Sequence, residues 1–404
     1  MANASVTLDG DPFRLDYDQR AGCTNGNAPY CWQPRLAIYT AAVRLPALFA
    51  GVFGAGNVGP GRRVRPLFAS QVAWDDNLRQ ALEFLNQTVG APGTLLHAVA
   101  GAPYFGAESI AANATNVTVD EVIAAVDAGL AGYDPAGGID AHFMLGVYSA
   151  ISAFHGLVFL GYEGGPDFSA FSSRAILNAT GDAQRDSRFA GLFSKYLALW
   201  SAFGNAGPLF HFWAGASDFS QQYGCWGLLE SMREPVTPKT IGFDAARAAP
   251  RPANALGLPL PVARAPCAAF AGAYPPYPSG GAITPKDFNS SWQENEFFYA
   301  LALSPSDLAR ASLRVVLYTA MAAPPAGQVL DACVRGRGEL RCQAAPVPQG
   351  GTLAAPVASA PLLLPLGPED AAFRGLVTLR IRILGGRGAD IADLLIVAFD
   401  ASAV

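Results

Sequence analysis

The amino-acid sequence predicts an α/β fold with a parallel sheet, followed by a separate antiparallel β-sandwich. Between residues 35 and 248, short apolar segments alternate with helical segments, an order typical of parallel α/β folds. Residues 249–265 are rich in Pro and Ala, which indicates a linker. Beyond the linker the segments are strand-like, and Thr378, Arg380 and Arg382 alternate with apolar residues in the period-two pattern of a half-buried strand.

These patterns divide the chain into an irregular N-terminal loop segment (1–34), a parallel α/β domain (35–248), the linker (249–265) and the β-sandwich domain (266–404). In the α/β domain we predict strands at 64–71, 94–100, 157–160 and 209–213, and helices at 35–53, 75–85, 119–128, 139–154, 185–203 and 237–248. The predicted sandwich strands are 296–303, 312–319, 375–383 and 393–399.

Composition excludes several classes of protein. Charged residues make up 15% of the chain, the net charge is -5 and basic runs are absent, so nucleic acid is not an expected partner. No apolar run reaches the 18 or so residues of a membrane span, and we expect none. The sequence lacks Gly-x-Gly-x-x-Gly after a first strand and lacks Gly-x-Ser-x-Gly, which disfavours a dinucleotide-binding fold and an α/β-hydrolase.

Sequons and cysteines together indicate a secreted or extracellular glycoprotein. The Asn-x-Ser/Thr sequons begin at Asn3, Asn86, Asn113, Asn116, Asn178 and Asn289. The six cysteines suggest the disulfide pairs Cys23–Cys31, Cys333–Cys342 and Cys225–Cys267, although six cysteines allow fifteen connectivities. No Cys-x-x-Cys occurs, so we expect no zinc site. Because residues 1–11 lack the features of a signal peptide, we expect the native start to lie upstream of Met1.

The segment 157–168 carries the strongest functional signal. A continuous apolar run, 157–160, predicts a buried parallel strand, and Tyr162-Glu163-Gly164-Gly165-Pro166 follows it directly. A carboxylate on a tight loop at the carboxyl end of such a strand lies where parallel α/β folds place their chemistry. The alternative is that Glu163 is a surface residue in a turn between strand and helix.

Other predicted strands also end in polar or aromatic residues: Gln71, Tyr104 and Trp213. Aromatic faces stack on sugar rings, and amides and carboxylates bind hydroxyl groups, so this rim and the nearby Trp226 predict a carbohydrate site. The alternatives are that Gln71 caps a strand and that the aromatic residues pack in the core. His97 and His211 also lie on predicted strands, where a hydrogen-bonded core histidine is the commoner case.

Taken in order, Tyr162-Glu163-Gly164-Gly165, the strand ending at Trp213, the segment 223–230 and Thr237-Pro238-Lys239 resemble the C-terminal half of clan A glycoside hydrolase barrels, in particular cellulase-like proteins. The resemblance implies a partial (β/α)8 TIM barrel of strands five to eight over residues 35–248. It also implies retaining hydrolysis of a polysaccharide or oligosaccharide without metal or organic cofactor. Glu163 would be the nucleophile, Trp213 would stack on the sugar, and Tyr162 and Tyr104 would hold Glu163 by hydrogen bonds.

The sequence departs from this family in one respect that matters for activity. Such barrels carry their acid/base in an Asn-Glu pair after strand four, but the pair here, Asn295-Glu296, falls in the β-sandwich. Retaining hydrolysis needs two carboxyl groups about 5–5.5 Å apart. Unless Asp16, Asp18 or another chain supplies the second, we expect this chain alone to hydrolyse glycosides poorly or not at all. The alternative function is a non-catalytic carbohydrate-binding or cell-surface protein.

Overall fold

The computed structural model describes most of the α/β part and the strands of the C-terminal part. The described residues are 6–8, 11–13, 35–70, 75–107, 109–111, 113–131, 141–203, 215–223, 225–249, 257–259, 262–266, 272–274, 295–302, 312–319, 327–335, 340–351, 355, 357–366, 376–384 and 391–399. The predicted pair Cys23–Cys31 and the predicted strand 209–213 lie outside them.

Helices and short strands alternate in the first part. Its helices are α1 (Arg35–Phe53), α2 (Asp75–Thr88), α3 (Pro92–Leu95), α4 (Val119–Ala131), α5 (Ala141–Phe154), α6 (Arg174–Arg185), α7 (Phe189–Phe203) and α8 (Pro238–Ala248). Its strands are β1 (Val6–Leu8), β2 (Asp11–Phe13), β3 (Leu67–Ala69), β4 (Ala98–Gly101), β5 (Tyr104–Phe105), β6 (Val158–Gly161) and β7 (Gly165–Pro166).

Two of the predicted helix starts are confirmed by their capping bonds. At α4, the backbone N–H of Glu121 donates to Thr118 Oγ1 over 3.2 Å, and the Glu121 carboxylate accepts from the Thr118 N–H over 2.8 Å. At α8, Thr237 and Thr240 form the same reciprocal arrangement, with Pro238 in the first turn. Each cap satisfies backbone donors that a helix leaves unpaired at its start.

Helix α1 is continuous although it contains a proline, Pro46. The turn Thr40–Arg44 is a π-turn, directly ahead of Pro46. Proline in a helix lacks a hydrogen-bond donor and clashes with the preceding turn, and the wider π-turn accommodates it. Because the apolar residues on both sides of Arg44 join in one helix, α1 is long and apolar enough, by length and composition alone, to cross a membrane. The sequence analysis did not anticipate this.

The parallel sheet predicted from the sequence is present. Strands β3, β4 and β6 pair in that order, with Leu67 opposite Ala98 and Ala98 opposite Val158. Strands β5 and β7 form a second parallel pair beyond the carboxyl ends of β4 and β6. The parallel α/β class is therefore confirmed, whereas the described strands form a three-stranded sheet that does not establish a half-barrel.

The described strands of the C-terminal part are β8 (Gly257–Pro259), β9 (Val262–Pro266), β10 (Gly272–Tyr274), β11 (Asn295–Ala302), β12 (Ser312–Thr319), β13 (Val329–Arg335), β14 (Arg341–Pro346), β15 (Val357–Ala358), β16 (Leu362–Pro365), β17 (Leu376–Leu384) and β18 (Ile391–Phe399). They form two sheets, and every pairing is antiparallel except that of β8 with β11, which is parallel. One sheet has the order β10-β11-β17-β13-β14 with β8 beside β11, and the other has β15-β12-β18-β9 with β16 beside β12.

The predicted antiparallel pairing is confirmed, and two short strands begin within the predicted linker. The predicted linker, 249–265, contains β8, which pairs with β11, and most of β9, which pairs with β18. Its proline content concealed these short strands. The predicted disulfide Cys333–Cys342 is confirmed and joins directly opposed residues of β13 and β14.

The two parts share a polar contact around Arg335, at the end of β13. Its guanidinium lies 3.1 Å from Nδ1 of His155, which follows α5, and donates over 2.8 Å to Oδ1 of Asn86 in α2. It also lies over the ring of Phe154. Burial, followed by the nearby Arg380, lowers the pKa of Arg335 to about 10. Arginine only donates hydrogen bonds, so His155 accepts at Nδ1 and is neutral.

A second arginine, Arg380 of β17, extends this contact. It is buried, lies over the Phe154 ring at 4.7 Å from the ring centre, and pairs with Glu83 of α2 over 3.6 Å. Burial alone would raise the pKa of Glu83, but Arg380 and its other neighbours bring it below the usual value. The sheet thus docks on α2 and α5 through buried cations rather than through apolar side chains alone.

The neutral, buried His155 predicts a pH dependence of stability. Burial, then Arg335 and Arg380, hold the pKa of His155 well below its usual range. Below about pH 6.5 the unfolded chain binds a proton at this histidine that the folded chain does not. The contribution of His155 to the free energy of unfolding is therefore complete above that pH and is lost as the pH falls, by up to about 1.4 kcal/mol per pH unit. Urea unfolding at several pH values between 7 and 5.5 measures the slope. His155→Asn keeps an acceptor for Arg335 and should flatten it; an unchanged slope would contradict the assignment.

Three of the predicted glycosylation sequons are accessible. Asn113 and Asn116 are exposed in the loop before α4, and Asn178 is exposed on α6. Asn86 instead uses its side chain to bind Arg335. Glycosylation and secretion stay predictions.

Candidate functional site

The loop that carries Glu163 lies at the carboxyl ends of adjacent parallel strands. Strands β4 and β6 end with Gly101 opposite Gly161, and a few residues later Tyr104 of β5 is opposite Gly165 of β7. Glu163 lies in the short connection between β6 and β7, where Gly165 has a φ of 125° that favours glycine. The edge of the sheet predicted from the sequence therefore does bring Tyr104, Tyr162 and Glu163 together.

Tyr104 and Glu163 form a hydrogen-bonded pair. Burial raises the pKa of the Tyr104 phenol above its ordinary value, and the charge of Glu163 and the hydrogen bond to it raise it further. The phenol therefore keeps its proton at neutral pH, and its O–H donates a hydrogen bond to the carboxylate. The pair holds a carboxylate in a defined orientation at the rim of the sheet.

Tyr196, on α7, ties together the two loops that carry this pair. Its hydroxyl donates to the carbonyl oxygen of Pro103 over 2.7 Å and accepts from the N–H of Gly165. The ring is buried against Phe105, with centroids 4.4 Å apart. Because Pro103 precedes Tyr104 and Gly165 follows Glu163 by two residues, Tyr196 fixes the spacing of both. Its position in the middle of an apolar helix gave no local signal in the sequence.

Asp167 is a second carboxylate near the pair. Its charge contributes to the raised pKa of Tyr104, after burial and Glu163. Its Oδ1 accepts from the backbone N–H of Ser169 over 2.8 Å, and its own N–H donates to the carbonyl oxygen of Phe105. The sequence analysis did not single out Asp167, although its spacing of four residues from Glu163 on a loop was a usable signal.

Of the remaining predicted site residues, Tyr162 and Trp226 are described in the structure and the other two are not. Tyr162 is 42% exposed beside Glu163, and burial and the Glu163 charge raise its pKa. Trp226 is half buried and packs against the core cluster around Phe105 and α7. Gln71 and Trp213 lie outside the described residues. Their roles as sugar ligands, and that of Trp226, stay predictions.

His97 and Glu230 lie away from the site. His97 precedes β4 and donates its backbone N–H to Pro66, so it lies at the amino end of the sheet, opposite Glu163. Glu230 forms an ion pair with Arg185 of α6, in which Nε of Arg185 donates a hydrogen bond to Oε2 of Glu230 over 2.7 Å. Glu230 thus joins α6 to the segment before α8.

Behind the site, a buried thiol and a buried amine support the loop. Cys225 is a free thiol, so the suggested pair with Cys267 is not formed. Its Sγ accepts from the N–H of Phe168 over 3.3 Å, and burial raises its pKa to about 11. Lys239 donates over 2.7 Å to the carbonyl oxygens of both Cys225 and Gly227, and its Nζ lies 3.8 Å from the centre of the Phe219 ring.

The described residues contain one cluster with metal-ligand chemistry, and it is already satisfied. Asp331, Cys333 and Cys342 place possible ligand atoms within 4.8 Å of one another. The cysteines form a disulfide, and Asp331 binds Arg382 over 2.6 Å.

A cavity of about 460 Å³ lies before and along α4. Ile110 is among the residues that line it, and Glu163 is not.

Comparisons with known proteins leave the family open. No family model matches the chain. No curated protein matches it either. Among solved structures, the carbohydrate-binding module TmCBM61 in complex with β-1,4-galactotriose aligns at 16% identity over 26% of this chain and 63% of its own, with a TM-score of 0.18. The family GH115 4-O-methyl-α-glucuronidase BtGH115A, with specificity for decorated arabinogalactans, aligns at 11% identity over 81% of this chain and 39% of its own, with a TM-score of 0.21.

Both of these neighbours are carbohydrate-active proteins, and this chain spans less than two thirds of either. TM-scores this low do not establish a shared fold. The resemblance to clan A barrels is not confirmed by them, and any statement about substrate depends on the residues of the site itself.

Proposed function

We propose that the rim around Glu163 is the sugar site of a glycoside hydrolase-like protein, with Glu163 as its nucleophile. The observation that carries the proposal is the Tyr104–Glu163 pair, at the carboxyl ends of neighbouring parallel strands. A carboxylate oriented by a phenol, with a second, half-exposed tyrosine beside it, supplies the charge and the flat apolar surface that bind a pyranose ring.

The chemistry assigned to Glu163 is the first half of retaining hydrolysis. One carboxylate oxygen attacks the anomeric carbon, the bond from that carbon to the leaving-group oxygen breaks, and the electron pair leaves with that oxygen. Tyr104 holds the carboxylate by its hydrogen bond and, because burial and Glu163 raise its pKa, stays protonated through the reaction. Tyr196 positions both residues without touching the substrate.

A second carboxyl group is needed twice: it protonates the leaving group in this first step, and it activates the water that hydrolyses the glycosyl-enzyme in the second. Asp167 is near Tyr104, but one of its oxygens is occupied by the N–H of Ser169. We therefore expect slow turnover of ordinary glycosides by this chain, and the test of Glu163 must not depend on acid catalysis.

Dinitrophenyl glycosides with fluorine in place of the hydroxyl next to the anomeric carbon meet this requirement. Their leaving group departs without a proton, and fluorine slows hydrolysis of the glycosyl-enzyme so that it accumulates. We expect one sugar to be added to the full chain, on the peptide that contains Glu163, as seen by mass spectrometry. Tyr104→Phe should label about tenfold more slowly, the cost of losing one hydrogen bond to a charged group.

Two variants make the result decisive. Glu163→Gln should not label at all, and the exposed Glu234→Gln should label like the unmodified chain. Labelling that persists in Glu163→Gln, or occurs on another peptide, would overturn the assignment of Glu163.

A non-catalytic carbohydrate-binding protein is the second candidate, favoured by the exposed Tyr162 and by the occupied oxygen of Asp167. In that case the panel of fluoro-glycosides gives no label, while a glycan array or calorimetry still detects binding that Tyr162→Ala and Tyr104→Ala weaken. Absence of both label and binding would reject a carbohydrate site at this rim.

A further inference from the structure

The C-terminal half of α1 presents an apolar stripe to solvent. None of the residues from Leu45 to Phe53 is buried. The exposed large side chains recur at the spacing of one helix face, and Leu48 and Val52 are 69% and 76% exposed: Leu45, Leu48, Phe49, Val52 and Phe53. A surface helix normally turns this face toward the core, so the orientation of the stripe is inverted.

The stripe continues into the loop that follows. Phe49, Leu45 and Pro46 line a cavity of about 270 Å³ together with residues between Val58 and Leu67. Leu67 is itself 43% exposed. The helix and the loop therefore form one apolar patch, which is larger than isolated exposed residues and requires an explanation.

Positive charge lies beside the patch. Arg62, Arg63 and Arg65 lie in the same loop and are exposed. Residues 35–74 contain five arginines and neither Asp nor Glu, although the chain as a whole carries a net charge of -5. A local excess of cations beside exposed Leu, Phe and Val is the combination that binds a layer with an apolar interior and an anionic outer surface.

We propose that α1 and its loop dock on an anionic lipid bilayer. Leu48, Phe49, Val52 and Phe53 enter the boundary between head groups and acyl chains, and the guanidinium groups of Arg62 and Arg63 bind lipid phosphates. The charge argument selects an anionic bilayer rather than a protein partner, because the apolar stripe alone would fit either.

The same helix does not cross the bilayer in this arrangement. Its first half is part of the soluble core, with Ile38 and Ala42 buried in the cluster that contains Phe68 and Leu78. Withdrawing α1 into a membrane would expose that core to water. Surface docking uses the exposed half and leaves the buried half in place.

Co-sedimentation of the full chain with vesicles tests the proposal. We expect binding to phosphatidylcholine vesicles that contain about 30% phosphatidylserine, weakened by added salt, and little binding to phosphatidylcholine alone. Arg62→Gln with Arg63→Gln should weaken binding roughly 30-fold, the effect of two cations near the surface. Leu48→Gln with Val52→Gln should weaken it by about tenfold or more.

Matched controls use equally exposed residues elsewhere. Met232→Gln with Val236→Gln alters side chains that are 75% and 70% exposed, and Arg233→Gln with Arg247→Gln removes two exposed cations; both pairs should bind vesicles like the unmodified chain. Equal binding to neutral vesicles would overturn the proposal. A failure to bind anionic vesicles would also overturn it. If the chain were then a dimer that Leu48→Gln with Val52→Gln dissociates, the apolar stripe would be an interface between two copies of the chain.

Discussion

Replacing Arg335 with methionine should lower the free energy of unfolding by about 2–4 kcal/mol. The substitution leaves Oδ1 of Asn86 and Nδ1 of His155 without their donor, and each buried acceptor left unpaired costs roughly 1–3 kcal/mol. Part of this cost is offset, because the substitution also removes a buried cation beside Arg380, whose charge helps to lower the pKa of Arg335. Urea unfolding measures the difference.

The control for this substitution is Arg247→Met. Arg247 also lies over an aromatic ring, that of Phe243, and has a carboxylate 3.9 Å away in Asp244, but its side chain is 72% exposed. Exposed pairs of this kind contribute at most about 1 kcal/mol, so little should change. If Arg335→Met unfolds at the same urea concentration as the unmodified chain, the buried hydrogen bonds do not hold the sheet on α2 and α5.

Replacing Gly242 with alanine should destabilise the chain by about 1–3 kcal/mol, the usual cost of overpacking. A β-carbon at this position would clash with the carbonyl oxygen of Ala190 and would lie 3.0 Å from the β-carbon of Phe193. The first of these is a backbone atom of α7, so α8 would have to move away from α7 to relieve the clash. Thermal or urea unfolding gives the magnitude.

Gly191, on the same pair of helices, provides the matched variant. Nothing lies within 4 Å of a β-carbon built there, so Gly191→Ala meets no obstruction. Since alanine favours helix by roughly 0.5–1 kcal/mol over glycine, this variant should be as stable as the unmodified chain or slightly more stable. Equal effects of the two substitutions would show that α7 and α8 do not pack closely at Gly242.

The sequence predicted those parts of the fold that depend on local pattern. Strands β4 and β6 are short apolar runs bounded by glycine, and the caps of α4 and α8 are visible in residues three apart, so both could be identified without the structure. Helix α6 was missed because its buried face includes Thr180, Gly181 and Gln184, which interrupt the apolar periodicity. Strands β8 and β9 were missed because the Pro- and Ala-rich composition of residues 249–265 indicated a linker.

For the candidate site, the sequence placed Glu163 and Tyr104 at the same edge of the sheet, because parallel strands end together. It did not find the residues that act across large separations. Tyr196 reaches Pro103 from 93 residues away, and Arg335 reaches His155 from 180 residues away. Contacts of this kind depend on how helices pack on the sheets, which no local spacing encodes. The same reason explains why Cys225 remained a thiol beside Phe168 rather than forming the suggested disulfide.

The hydroxyl of Tyr196 has a consequence for any ligand that reaches Glu163. Since one oxygen atom binds both Pro103 and Gly165, the two loops can separate only by breaking both hydrogen bonds inside an apolar core. The entropy of aligning Tyr104 with Glu163 is therefore lost when the chain folds rather than when a ligand binds. A rigid ring that fits the existing gap would bind without moving the loops. A ligand that needs a wider gap would have to break both hydrogen bonds of Tyr196, so it would bind more weakly.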